Sequence, residues 1–129
     1  LPEASRSRLS VIKADMFQYL RGDTGEFDMI ILDPPKFAQT KSQAPQAMKA
    51  YKDINRLAMK KIRAEGLLAT FSCSSAITRE MFQTVLAWAA QDAGREIQIL
   101  EHLGQGFDHP IRLSFPESEY LKGMILRIL

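Results

Sequence analysis

One cysteine, two histidines and one tryptophan among 129 residues leave little material for disulfide or metal chemistry. Cys73 has no partner within the chain, which excludes an internal disulfide and fits a reducing cytoplasm. His102, His109 and Cys73 are too few and too scattered for a zinc site, so no metal is implied. No apolar run approaches the roughly 20 residues that a membrane helix needs, and no signal-peptide pattern is present. Internal repeats, low-complexity tracts and inter-domain linkers are absent too. What is present suffices for one core: 46% of the residues are hydrophobic, which at this length fits a single domain.

Charge is modest in total and uneven in distribution. Lys36, Lys41, Lys49, Lys52, Arg56, Lys60, Lys61 and Arg63 face a single acid, Asp53, giving residues 36–63 a charge of +7. The remainder, with nine basic and fourteen acidic residues, carries −5, so a net charge of +2 conceals a strongly basic segment. A charge run is usually a solvated helix face. Lys and Arg also supply the sequence-independent phosphate affinity of nucleic-acid binders, so this segment is a candidate polyanion surface.

Strand and helix patterns alternate along the chain. Arg8 to Ala14 reads as a short strand ending at Asp15, Met16 to Leu20 as a brief helix, and Phe27 to Leu32 as a buried strand after a turn cluster at Gly22 to Glu26. Ala47, Ala50, Tyr51, Ile54, Leu57, Ala58 and Ile62 recur at three- and four-residue steps, which predicts a helix over Ala44 to Ile62. Leu67 to Phe71 is another buried strand, and Thr78 to Ala93 an amphipathic helix closed by Gly94. Glu96 to Leu103 and Gly123 to Leu129 read as strands, with a long Gly- and Pro-rich loop from Gly104 to Glu119 between them. The alternation predicts an α/β fold with a doubly wound, mostly parallel sheet. Asp15, Asp33 and Cys73 then follow successive strands along one edge, and an antiparallel last strand makes the long loop leave from that same edge.

The stretch Phe27-Asp28-Met29-Ile30-Ile31-Leu32-Asp33-Pro34-Pro35-Lys36-Phe37 is the most specific signal. Neither proline can continue a sheet, so the chain turns out at Asp33 and leaves a carboxylate at the carboxyl end of a core strand, where α/β sheets bind ligands. An ordinary Asp-Pro turn is the plain alternative. Asp33-Pro34-Pro35 resembles the fourth motif of S-adenosylmethionine-dependent methyltransferases that modify bases, in which the acid and the first proline carbonyl face the target base.

Taken together, Asp33 to Phe37, Tyr51-Lys-Asp-Ile-Asn55, Phe71-Ser-Cys-Ser74, Asp108-His-Pro110 and Tyr120-Leu-Lys-Gly123 resemble the catalytic half of the bacterial 23S ribosomal RNA large-subunit cytosine-5 methyltransferases. That family carries a PUA domain ahead of a Rossmann-like S-adenosylmethionine-dependent methyltransferase domain, and the likeness runs from about Arg8 to the end of the chain. It implies catalytic roles for Cys73 and Asp33. Cys73 is the nucleophile that adds to carbon 6 of cytosine, and Asp33 holds or protonates the base around N3. A lone cysteine is otherwise most often a small buried hydrophobe. The resemblance further implies cofactor contacts at Asp15, Met16, Asp33 and Pro34. Base or RNA contacts are implied at Pro35, Lys36, Phe37, Lys41, Lys52 and His109.

Several of these residues have structural readings of equal or greater weight. Asp15 serves equally as a helix N-cap. Phe37 is a candidate to stack on the base, or an apolar anchor for its loop. His109 before Pro110 also fits a turn, and Tyr51 and Asn55, one helical turn apart, read as packing and capping with no chemistry assigned.

The implied partner is ribosomal RNA, the implied cofactor S-adenosylmethionine and the implied compartment the cytoplasm. An amino-group methyltransferase of adenine or guanine is the alternative, with Cys73 a bystander. A third is an inactive RNA-binding module using the basic segment.

The Gly-rich cofactor loop and the ribose-binding acid of such domains are missing, and Gly104-Gln-Gly106 comes too late to replace them. Against the family, residues 1–129 are the C-terminal portion of the methyltransferase domain, without its cofactor-loop half or the PUA domain. The expectation is that the strand Arg8 to Ala14 lacks its native neighbours. Alone, the chain is expected to be impaired as an enzyme and to bind cofactor weakly. It is also expected to re-pair its sheet or to form a homodimer.

Overall fold

The computed structural model describes residues 2–3 and 7–129. A short helix α1 (Met16–Arg21) precedes β1 (Phe27–Leu32), whose bounds are those of the apolar run before Asp33. A turn at Lys41–Gln43 leads into α2 (Ala44–Lys61), which has proline in its first turn, where the missing N–H has no helical partner to lose. β2 (Ile62–Ser72) follows without a loop. α3 (Arg79–Ala93) starts at Thr78, whose hydroxyl accepts from the Met81 amide at 3.1 Å, and stops at Gly94, which takes the left-handed φ of 68°. β3 (Ile97–Leu103) and β4 (Lys122–Ile128) complete the sheet.

The strand order is β1-β2-β4-β3. β1 and β2 are parallel, while β4 inserts antiparallel between β2 and β3, so β1, β2 and β3 all run the same way. The expected α/β class and antiparallel last strand are both found. α2 and α3 pack against each other and against one sheet face, burying Ile54, Met59, Leu68, Phe82, Val85, Met124, Leu126 and Ile128. Arg95 closes this layer: its Nη1 donates to the Met59 and Ile62 carbonyls, each at 2.9 Å, satisfying the end of α2.

Three expectations need correction. Arg8 to Ala14 is not a strand: Val11 is 90% exposed, and Leu9 and Ile12 are exposed with it. An extended segment is stable only when its backbone groups are paired, and among the described residues no strand lies beside β1 to receive it. The strand Phe27 to Leu32 is also buried on one face only, not on both. Met29 and Ile31 point away from the helices, Ile31 at 68% exposure. Finally, β2 begins at Ile62 and not near Leu67, because the ladder bulges: Phe27 pairs with Ile62 but Met29 with Leu67. Glu65 takes a φ of 69° in that bulge, and a Cβ on Gly66 would lie 2.7 Å from the Asp28 carbonyl oxygen.

Candidate functional site

Two turns leave the sheet side by side. Leu32 pairs with Thr70 in the parallel β1–β2 ladder, so Asp33, one residue further on, and Cys73, three residues past Thr70, emerge at the same carboxyl edge. Asp33, Pro35 and Lys36 are exposed and Pro34 is buried, while Cys73 is half-buried between the buried Ser72 and Ser74. The Ser74 hydroxyl donates to the Ala38 carbonyl at 2.7 Å, with both residues out of solvent. This bond ties the turn carrying Cys73 to the loop carrying Asp33.

Beneath that loop runs an aromatic row. Phe37 stands edge-on to Tyr51 with 4.7 Å between ring centroids, Phe17 lies 6.1 Å from Phe37, and Phe82 lies 6.0 Å from Tyr51. Phe37 therefore anchors its loop, as the packing alternative had it, and the Phe17 contact brings the start of α1, with Asp15 and Met16, beside it. Asn55 is fully buried: it donates to the Tyr51 carbonyl at 2.8 Å and accepts from the Thr70 hydroxyl at 2.6 Å, locking α2 to β2. The Tyr51 hydroxyl is buried without a hydrogen bond of good geometry. Burial raises its pKa, opposed by the Ser72 side chain and the Phe37 backbone and reinforced by Cys73.

A residue given no role from sequence lies at the centre of the edge. Lys122 is 1% exposed, and its ammonium donates to the Ser74 carbonyl at 2.5 Å and the Tyr120 carbonyl at 2.9 Å. Burial lowers its pKa to about 8, against raising contributions from Glu119 and Cys73; Arg79 and Lys36 lower it further. Its parity was a readable signal, because 122, 124, 126 and 128 share the buried face of β4. A lysine opening that series cannot sit in solvent.

The long loop is fastened across the same edge. Arg79 at the start of α3 donates to the Leu103 carbonyl and the Glu119 carboxylate, both at 3.3 Å, holding the two ends of residues 104–119. Gln105 works from inside, donating to the His109 and Ser118 carbonyls and accepting from the Tyr120 and Leu121 amides. Lys41, Ser75, Thr78, Arg79, Glu119 and Lys122 line a cavity of about 470 Å³ between loop and turn.

The remaining candidates divide. Asp15 caps α1, accepting from the Gln18 amide at 3.0 Å, and Met16 is half-buried. His109 is exposed, its ring edge-on to Tyr120 at 6.1 Å. Lys36 and Lys41 stand at the Cys73 edge, but Lys52 does not join them: it reaches Asp92 on α3 at 3.0 Å, tying the helices together. The basic segment is likewise split. α2 is 18 residues long, about 27 Å at 1.5 Å per residue, so Lys60, Lys61 and Arg63 lie at the opposite end of the sheet from Lys36. Lys61 bonds the Gly22 carbonyl, Arg63 pairs with Asp28, and Arg56 and Arg21 both pair with Asp53. Burial alone would raise the Asp53 pKa, but these two guanidinium groups hold it below the ordinary carboxylate value.

The sheet order and its antiparallel inserted strand define the class of fold, which is that of solved methyltransferases. An N-methyltransferase, NodS of Bradyrhizobium japonicum, solved with S-adenosylhomocysteine, superposes with a TM-score of 0.53 at 16% identity, covering 97% of this chain and 58% of its own. A Streptococcus mutans protein assigned as a SAM-dependent methyltransferase superposes with a TM-score of 0.69 at 20% identity, over 86% of this chain and 28% of its own. These likenesses show the fold alone.

Sequence relatives are nearer. "Ribosomal RNA large subunit methyltransferase I" of Tolumonas auensis is 53% identical over 120 residues, covering 91% of this chain and 30% of that protein. The proteins of the same name from Pseudoalteromonas atlantica and Escherichia coli O1:K1 are 48% and 45% identical over 126 residues, each covering 95% of this chain and 32% of the relative. The chain spans about a third of the length of the curated relatives it matches. No family model matches it. Among the described residues, no helix is long and apolar enough to cross a membrane.

Proposed function

We propose that residues 1–129 are the C-terminal portion of a methyltransferase domain acting on large-subunit ribosomal RNA in the bacterial cytoplasm, and that their carboxyl edge holds a cytosine for methylation at carbon 5. The observation that carries this reading is the paired exit of Asp33 and Cys73 from neighbouring parallel strands, fastened together by the Ser74–Ala38 bond. Relatives named as ribosomal RNA methyltransferases support the substrate class.

Cytosine carbon 5 is too weak a nucleophile to accept a methyl group unaided. In this reading the Cys73 thiolate forms a bond to carbon 6, and the displaced electron pair, with Asp33 holding the N3 edge, makes carbon 5 enamine-like. Carbon 5 then forms the new carbon–carbon bond, loses its proton to a base, and the returning pair breaks the sulfur–carbon bond to restore the thiolate. S-adenosylmethionine, when bound, would supply the methyl group, its sulfonium–methyl bond breaking to leave a neutral thioether. Of this chain's residues, Asp15, Met16 and Pro34 are those that would hold it, at the loop that Phe37 anchors against Phe17. No Gly-rich turn or ribose-binding acid accompanies them among the described residues, so they fit one end of the cofactor. Pro35, Lys36 and Lys41 lie where RNA would enter; Phe37 and His109 serve by shaping the loops, and Lys52 belongs to the helix layer.

The test is Cys73→Ala in the complete encoded protein, with the methylated nucleoside identified by mass spectrometry. The reading predicts 5-methylcytidine from the unaltered protein and none from the variant. A fully active variant, or a methyl group on an exocyclic amine, sinks it and favours the amino-group alternative.

A further inference from the structure

We propose that Lys122 is a positioning residue for Cys73: it clamps the cysteine-bearing turn from both sides and holds a positive charge within electrostatic reach of the sulfur. This rests on Cys73 being the nucleophile.

The geometry is a bracket. Lys122 stands opposite Ser72 in the β2–β4 ladder, fixing the residue before Cys73, while its ammonium binds the carbonyl of Ser74, the residue after it. Ser74 is itself bonded to Ala38, so the bracket extends to the loop that carries Asp33. An ammonium has three donors, and the two carbonyls account for two of them. Among the described residues no carboxylate pairs with Lys122: Glu119, the acid that raises its pKa, is bonded to Arg79. A buried lysine answered only by neutral carbonyls is costly, and an apolar residue at this inward strand position would avoid that cost. The position beside a developing thiolate gives the charge a use, since a cation there favours the sulfur anion both before addition and on release.

Among the described residues, the charged and titratable groups acting on Lys122 are Glu119 from the long loop, Cys73 from the turn, Arg79 from α3 and Lys36 from the loop after β1, and Lys41 and Glu80 share its cavity. With a pKa of about 8 the ammonium is about nine-tenths charged at neutral pH and loses that charge through mildly alkaline pH.

The experiment compares the complete protein with its Lys122→Met, Lys122→Arg and Cys73→Ala variants, with kcat and KM measured on a 23S ribosomal RNA transcript across about pH 6.5 to 9.5. Lys122→Met is expected to lose about 10- to 100-fold in kcat, with KM for RNA and cofactor within about twofold. The unaltered protein is expected to show a fall in kcat centred near pH 8. Lys122→Arg, charged throughout, keeps part of kcat and lacks that fall. Wild-type kcat in Lys122→Met overturns the proposal, as does an alkaline fall that persists in Lys122→Arg. If Lys122→Met does not fold, the two remaining profiles decide. Cys73→Ala tests the underlying reading separately: activity there removes the nucleophile, whereas an inactive Cys73→Ala beside a fully active Lys122→Met removes only the bracket.

Discussion

Replacing Ser74 with alanine removes one oxygen and tests whether the two halves of the site are coupled. Ser74 is fully buried and Ala38 is 1% exposed, so the Ala38 carbonyl loses its donor in a place water does not reach. Leaving a buried acceptor unsatisfied costs about 1–3 kcal/mol, more than the roughly 1 kcal/mol net value of the bond itself. Little packing is lost with it, so denaturant unfolding of the complete protein should show a destabilisation in that range. The effect on activity follows from position, since the bond fixes the loop of Asp33 relative to the turn of Cys73. A loosened alignment of this kind lowers single-turnover methyl transfer by about tenfold or more at saturating cofactor. Hydrogen exchange at the Phe37 to Gln39 amides should rise in parallel. Ser75→Ala, one residue on and exposed, is the control and should stay within about 0.5 kcal/mol of the parent. A Ser74→Ala protein with unchanged stability, exchange and rate would refute the coupling.

Other perturbations separate surface charge from core order. Lys36→Ala and Lys41→Ala should each lower the salt slope of RNA binding by somewhat less than one unit, whereas Lys52→Ala, whose ammonium is held by Asp92, should leave it unchanged in a filter-binding series. Asn55→Leu and Thr70→Val should each cost about 1–3 kcal/mol, while the double variant recovers most of it, because both partners of one buried bond are then gone. Gly123→Ala would set a Cβ 2.5 Å from the Phe71 ring, so that the ring has to move at a cost of about 1–3 kcal/mol in denaturant unfolding.

Local chemistry carried much of the fold into the sequence. β1 could be bounded to the residue because Asp33-Pro34-Pro35 ends it, and α3 because Thr78 caps one end and Gly94 the other. The pairing of Asp33 with Cys73 was legible for the same reason: each follows an apolar strand in an alternating pattern, and parallel neighbours release their chains at one edge. Features set by distant partners were not legible. Arg8 to Ala14 has strand composition, but a strand needs a neighbour, and composition does not supply one. Arg63-Ala-Glu-Gly66 falls between the expected helix and the expected strand and is the bulged start of β2, with Glu65 held in a conformation that its side chain disfavours. The basic segment reads as one surface, yet a helix of 18 residues carries its ends to opposite sides of the sheet, and three groups from outside the segment, Asp92, Asp28 and the Gly22 carbonyl, bind its cations. Lys122 is hard to read from sequence because a lysine is ordinarily solvent-facing; only the parity of β4 says otherwise.

The central claim is that Cys73 bonds covalently to the base. A 23S ribosomal RNA transcript made with 5-fluorocytidine has no proton at carbon 5 to lose after methyl transfer, so the adduct cannot eliminate. Incubated with the complete protein and S-adenosylmethionine, it should yield a stable protein–RNA complex whose nucleotide maps to the peptide bearing Cys73 and which Cys73→Ala does not form. Turnover of ordinary transcript with no trapped complex on the fluorinated one, or a complex that maps to a different residue, would contradict the account.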